Sequence, residues 1–404
     1  MSGNGPAGSA SYSGSHVDAN VNAMFSGSRW TGNSIKWSYP DSPAEFEFGG
    51  ASYASGEMTT FVTLSGSQRA SVDAMVGRYA YVTTMGYGQL DETSSIHADI
   101  RISRSNLPST AWGYFPGNTT EAGDIWLGNT RFSIAAYSDG TYEGTGVLHE
   151  LGHAHGLKHS HEAPAMPNAT FDCRSYTIMS YHSYPGSSIA ALTIATGHHP
   201  QGPMAFDFEA LHTMYGKSTV LAPAIYSFNA SNGWTYRDGT PWFSPTVPCI
   251  HCCLWEPTTT NTFDVSSSNE FVNINLNRLQ WSTFFGAMVA SLGGGNNAPG
   301  NVCMPYSNDP FKFIIAGSGG GTFTFNTNLT GNKITIPGLR SAYTWSGSGR
   351  NWAGTRTSDS TMYLCTTVDF VSFSDVANVP VSDLVGGTPP TIGPNSRQVI
   401  WSTT

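Results

Sequence analysis

His149-Glu150-Leu151-Gly152-His153-Ala154-His155-Gly156-Leu157-Lys158-His159-Ser160-His161 contains the pattern H-E-x-x-H-x-x-G-x-x-H. On a helix, His149 and His153 project from one face one turn apart, close enough for two imidazoles to share a metal ion. Gly156 ends that helix. Without a Cβ it can take the left-handed conformation that turns the chain, and His159 then returns to the same metal from outside the helix. Three neutral imidazoles suit Zn²⁺, and three protein ligands leave a fourth position for water, which marks a catalytic zinc rather than a closed structural one. The metal brings the pKa of that water to about 7. Glu150, beside the first ligand, is placed as general base: it takes a proton from the water as the water attacks a carbonyl and passes it to the leaving amine. A histidine cluster on a solvated helix is the structural alternative. His155 falls about 200° around the helix from His153 and is read as a non-ligand, as is His161. His182 reads equally as a substrate contact or a surface residue.

Downstream runs Ser175-Tyr176-Thr177-Ile178-Met179-Ser180-Tyr181. With the histidine motif, this stretch resembles the metzincin zinc endopeptidases, and Met-Ser-Tyr resembles the serralysin branch, peptidase family M10. The resemblance implies that Met179 forms the Met-turn beneath the zinc. It also implies that Tyr181 approaches the zinc and swings aside to stabilise the oxyanion. Read alone, Met179 is a core methionine and Tyr181 a half-buried phenol. The resemblance runs, with gaps, from about Val21 to Gly216. It covers Val21–Trp30, Ala111–Gly117 with Gly123–Leu127, and the helix Pro203–Tyr215 ended by Gly216. It implies a strand near Ile125 at the sheet edge on which an extended peptide lies, held by main-chain hydrogen bonds. Ser160 departs from it, since serralysins usually have proline after the third ligand.

Length and composition bound the rest. A chain of 404 residues is too long for one ordinary core, so two domains are expected. Charged residues are 11% and aromatics 12%, with abundant Gly and Ser, which suits an extracellular chain of strands and turns. The net charge of −9 without a Lys/Arg run speaks against nucleic acid or an anionic membrane as partner. No apolar stretch is long enough to span a bilayer. Met1–Tyr12 shows neither the basic nor the apolar region of a secretory signal, and no long propeptide precedes Val21. Arg397–Thr404 does not resemble the C-terminal export signal of serralysins.

Local patterns supply the elements. Ile35, Trp37 and Tyr39 alternate with polar residues as in a half-buried strand. After Ser65 to Ser67, Val72, Met75, Val76, Tyr79 and Val82 form the stripe of an amphipathic helix. Ile96, Ala98, Ile100 and Ile102 alternate with His97, Asp99 and Arg101, predicting a strand with one polar, solvent-facing side that includes His97. Asp124 reads as a turn former, with a calcium ligand as the alternative. Past Lys217, Val272, Ile274 and Leu276 alternate with asparagines, and Thr322–Thr327 and Lys333–Ile336 alternate similarly. The resemblance implies a parallel β-roll on calcium-binding repeats here, yet Gly293–Asn297 and Gly317–Gly321 lack the aspartates for it, which leaves calcium open. Of six cysteines, Cys173 lies in the first half and Cys249, Cys252, Cys253, Cys303 and Cys365 in the second. An even count in an exported chain predicts disulfides; a structural zinc at Cys249–Cys253 is the alternative.

The expected fold is therefore α+β. A disordered tail, 1–17, precedes a metzincin protease domain at 18–220, with a twisted, mostly parallel sheet, long helices and a zinc cleft. An all-β domain follows at 221–404, an eroded roll or sandwich. The expected function is a secreted, monomeric zinc metalloendopeptidase acting on extended protein or peptide substrates and open to restraint by a protein inhibitor. The alternative is a surface-binding or adhesive protein with a latent or very narrowly specific protease domain.

Overall fold

The computed structural model describes residues 8–47, 53, 56–93, 96–219, 222–229, 231–283, 301–303 and 310–384. Helix α1 (Ala19–Asn22) starts on Asp18, whose carboxylate accepts the Asn20 N–H. Helix α2 (Gly66–Val82) starts on a reciprocal cap in which Ser65 Oγ accepts from Gln68 N–H and the Gln68 side chain accepts from Ser65 N–H. Its stripe of Val72, Met75, Val76, Tyr79 and Val82 is buried as the spacing predicts. Two further helices follow, α3 (Asn129–Phe132) and α4 (Tyr142–Ala154), and then α5 (Ala205–Tyr215), which stops at Gly216 with φ +78°.

Strand β1 (Ser9–Ser11) pairs antiparallel with β2 (Ser28–Trp30). The expectation of disorder over 1–17 therefore fails for residues 8–17. Low apolar content did not prevent order here, because β2 supplies a free edge and Tyr12 packs edge-on against Phe25 at 5.1 Å. Met1–Ala7 lie outside the described residues.

The main sheet of the first half contains β3 (Ser34–Ser38), β4 (Gly86–Gln89), β5 (Ile100–Ser105), β6 (Ala111–Gly113) and β7 (Ile125–Gly128), in the order β4-β3-β5-β7-β6. All neighbours are parallel except β6, which runs antiparallel to β7. The strand at Ile125 is thus covered, and the edge is β6. A chain reversal after β5 lays Ala111–Gly113 outside β7, an arrangement that strand propensity cannot reveal.

The side of β5 expected to face solvent is also covered. Arg101 is fully buried, bonded to both carboxylate oxygens of Asp124 at 2.8 Å and lying over the Phe46 ring at 4.7 Å. Tyr53 donates to the same carboxylate at 2.9 Å, so Asp124 anchors a buried ion pair besides closing a turn to Glu121. Phe46, Tyr53 and Trp126 form a small aromatic cluster over that face. His97 is likewise buried, 2.8 Å from Glu92, because the strand begins only at Ile100 and the preceding loop folds inward.

Beyond α5, the described chain passes back and forth between two eight-stranded sheets, sometimes with two or three consecutive strands in one. Asn261–Asp264, Phe311–Ile315, Lys333–Thr335 and Phe370–Ser372 are parallel neighbours in one. Val272–Asn275, Gly321–Thr324 and Met362–Thr366 are parallel neighbours in the other. The alternating apolar residues point into one shared core, with Phe263, Ile274, Phe323, Ile334 and Cys365 fully buried. That winding follows the rolled alternative. Gly293–Asn297 lies outside the described residues.

Removing one partner of a buried ion pair strands the other without compensation. Arg101→Met is expected to destabilise the chain by about 3–5 kcal/mol, checked as a fall in the urea midpoint followed by tryptophan fluorescence.

Candidate metal centre

Helix α4 begins where Thr141 Oγ1 accepts the Gly144 N–H at 3.0 Å and runs buried through His149, Glu150 and His153. It ends on paired bonds, Leu157 N–H to Gly152 O at 2.9 Å and Gly156 N–H to His153 O at 2.8 Å, with Gly156 at φ +95°. A Cβ at Gly156 would sit 2.3 Å from Ser28 O, so the turn needs glycine for conformation and for space alike. Trp30 Nε1 donates to Ala154 O at 2.8 Å and Tyr215 Oη to His155 O at 2.6 Å, satisfying the last carbonyls.

The turn brings three imidazoles together. His159 Nε2 lies 3.0 Å from His153 Nε2 and 3.1 Å from His149 Nε2. Tetrahedral zinc with Zn–N bonds of about 2.0–2.1 Å would set its nitrogens about 3.3–3.4 Å apart, so a small outward movement accommodates the ion. The opposite nitrogens are each committed: His149 Nδ1 to Ile178 O at 2.8 Å, His153 Nδ1 to Leu157 O at 2.7 Å, and His159 Nδ1 to Glu162 Oε1 at 2.7 Å. With Nδ1 as donor, every Nε2 presents a lone pair to the common point. Burial holds these imidazoles neutral, pushing His153 down to about 3 and His149 and His159 below the usual histidine value. Among the described residues this triad is the only group of three or more metal-ligating side chains close enough to hold an ion.

Met179 lies buried beneath α4. A Cβ at Gly152 would meet its Sδ at 2.5 Å, so the glycine lets helix and turn touch. Asp207, at the start of α5, accepts from Thr177 Oγ1 at 2.6 Å, Ile178 N–H at 2.9 Å and Met204 N–H at 2.8 Å, which fixes the carbonyl that orients His149. Asp172 accepts from Ser160 Oγ at 2.6 Å and Ser180 Oγ at 2.7 Å, joining the residue after His159 to the residue after Met179. The Ser160 departure therefore has a local use. Glu162, Asp172 and Asp207 escaped the sequence reading, because a lone acid in a loop carries no spacing signal and its partners come from distant stretches.

Glu150 lines a cavity of about 560 Å³ together with His149 and Tyr181. Its Oε2 has no protein partner, and burial pushes the carboxyl up to about 8 against the opposing effects of Arg174 and the Gly113 N–H. A dication on the triad would favour the carboxylate. Tyr181 stands 37% exposed with its ring 4.5 Å from His159 and 5.7 Å from His149. Burial raises its phenol above the ordinary value, so it keeps its proton near neutrality.

The other histidines sit apart from the triad. His155 stacks on Tyr79 at 4.6 Å and bonds Leu151 O and Tyr87 Oη. His161 stacks on His159 at 5.2 Å, and His182 Nδ1 bonds Ser187 O. Cys173, Cys249 and Cys365 are buried, and among the described residues none of them meets a partner sulfur. His251 bonds His198 O at 2.9 Å and Cys253 packs in the core of the first half; among the described residues the Cys249–Cys253 stretch is in no group of three or more metal-ligating side chains.

A mostly parallel sheet with an antiparallel edge thus lies beside a buried helix whose two histidines converge with a third, next to a glutamate, on a point that could hold a metal ion. Comparison with known proteins finds serralysins and related metalloproteases among its relatives. Serralysin A of Dickeya chrysanthemi is 27% identical over 179 residues, covering 43% of this chain and 36% of that protein. Serralysin B of the same organism is 26% identical over 237 residues, 55% of this chain and 44% of its own length. Metalloprotease AprA of Pseudomonas entomophila is 24% identical over 247 residues, 58% of this chain and 50% of its own. No family model matches. The chain is thus similar to serralysins over part of its length, and the matches span between about a third and a half of those relatives' length.

Two substitutions probe the centre without touching a ligand. Glu162→Ala removes the acceptor that orients His159 and is expected to weaken zinc about 10- to 100-fold, measured by competition with a chromogenic chelator. Gly152→Ala pushes a methyl into Met179 and is expected to cost about 1–3 kcal/mol, read as a lower thermal midpoint.

Proposed function

We propose that the chain is a secreted zinc-dependent endopeptidase that hydrolyses peptide bonds in extended protein segments. His149, His153 and His159 hold the ion through Nε2. When bound, the ion acidifies a coordinated water to a pKa of about 7 and polarises the scissile carbonyl. Glu150 takes the proton at its open carboxylate oxygen and returns it to the leaving amine. Tyr181, protonated and beside two of the ligands, donates to the developing oxyanion. Met179 and its neighbours serve as the Met-turn, the floor that keeps His149 in place.

Substrate lies along β6, whose free side offers main-chain donors and acceptors to an extended peptide. Residues 18–220 form the protease domain and 221–404 the β-rich domain. The partners are protein or peptide substrates and a protein inhibitor, with the chain as a monomer. No helix among the described residues is long and apolar enough to cross a membrane. One observation carries the proposal: three Nε2 atoms converge beside a buried glutamate that lines a cavity and has one carboxylate oxygen without a protein partner.

The test is peptide release from denatured casein by the native chain and by Glu150→Ala, each with its bound zinc counted. The native chain is expected to cut; the variant is expected to retain one zinc and lose at least about a hundredfold in rate. Zinc in both with cleavage by neither sinks the proposal.

A further inference from the structure

The cavity beside the triad has apolar walls from Phe132, Leu192 and Ile194, and Arg174 lines it as well. Arg174 is 5% exposed, and its Nε has no partner. Asp207 and Glu150 act on it at a distance, with no hydrogen bond to either. The oxygens of Asp207 are spent on Thr177, Ile178 and Met204. Arg131, the other guanidinium at the wall, is matched by Glu143 at 2.7 Å. Arg174 is thus a guanidinium withdrawn from water and without a counter-ion among the described residues, which is costly until an acceptor arrives.

Antiparallel pairing is the more stable per residue, and on the edge strand it sets the direction of the substrate. A peptide pairing antiparallel with β6 runs from the Gly113 end toward Ala111 and Thr110. Gly113 lies on the catalytic helix, where an added Cβ would come 2.7 Å from Glu150 O and 3.2 Å from His153 Cβ. Thr110 and Ala111 border the cavity. The side chain entering the cavity therefore belongs to the residue on the C-terminal side of the bond being cut.

We propose that Arg174 makes this cavity selective for an acidic side chain, Asp or Glu, on the residue that follows the scissile bond; this rests on the peptidase assignment above. A carboxylate reaching the guanidinium forms charge-assisted, bidentate hydrogen bonds in a water-poor site, and its neutral amide counterpart cannot match them. Arg174 acts as a specificity determinant and takes no part in proton transfer.

The experiment uses the zinc-loaded full chain and paired peptides that differ only in Glu or Gln after the scissile bond, with casein as the general substrate. The Glu peptide is expected to show a kcat/KM at least about tenfold above the Gln peptide, with the cut mapped by mass spectrometry to the bond before Glu. Arg174→Met is expected to bring that ratio to about one at unchanged zinc content, whereas a merely structural role would slow both peptides alike. Casein cleavage with no preference for Glu, a cut after Glu instead of before it, or a ratio that persists in Arg174→Met overturns the inference alone. Failure to cut casein or either peptide overturns the peptidase assignment and this inference with it. Should Arg174→Met not fold, inhibition of the native chain by a free peptide beginning with Glu, compared with its Gln counterpart, decides: stronger inhibition by Glu supports the inference, and equal inhibition overturns it.

Discussion

Each imidazole at the centre commits one nitrogen to a fixed acceptor and leaves the other able to take a metal ion. The three acceptors come from different places: Ile178 O from the turn under the helix, Leu157 O from the helix cap, and Glu162 from the loop beyond. Orientation by a partner on the far nitrogen sets tautomer and ring plane together, and affinity follows from both. Much of the first half serves to hold those acceptors still. Asp207 pins Ile178 from α5, Asp172 links Ser160 to Ser180, and the N-terminal segment bonds Gly156 O and Lys158 N–H through Ser26 and Met24.

The second half is attached through a short stretch rather than by a linker alone. Cys253 and Trp255 pack in the first core, and His212 lies 4.7 Å from the Trp255 ring. Glu256 accepts from Tyr226 at 2.9 Å and Arg237 at 2.8 Å and is also bonded by Tyr81 of α2, so one buried carboxylate gathers both halves. Gln201 adds a bond to Cys249 O at 2.6 Å. These contacts explain the apolar, cysteine-rich Cys249–Trp255 run as a packing surface.

The rolled strands of the second half are stitched at their corners by amides. Asn261 Nδ2 bonds Thr258 O and Pro310 O at 2.6 Å, and Asn332 Nδ2 bonds Thr367 O at 2.9 Å and Asn326 O at 3.1 Å. Each side chain satisfies carbonyls on neighbouring coils that would otherwise be buried without donors. The parallel strands of the described residues are thus bridged without the aspartates of a calcium repeat, because an amide can join coils as well as fill a turn.

The sequence by itself determined the local matters. Periodicity and caps placed α2, α4 and α5, the spacing of His149, His153 and His159 around Gly156 placed the triad, and alternation set the inward residues of the rolled strands. Helical geometry and glycine conformation act over a few residues, so such patterns are legible from the chain alone. Only the tertiary structure decided that β6 and not β7 is the edge, that His97 and Arg101 are buried, and that Ser9–Ser11 pair with β2. It alone brought Glu162, Asp172, Asp207 and Arg174 to the centre. Burial and counter-charge depend on which distant segments meet, and a charge in a loop has no period from which its partner can be read.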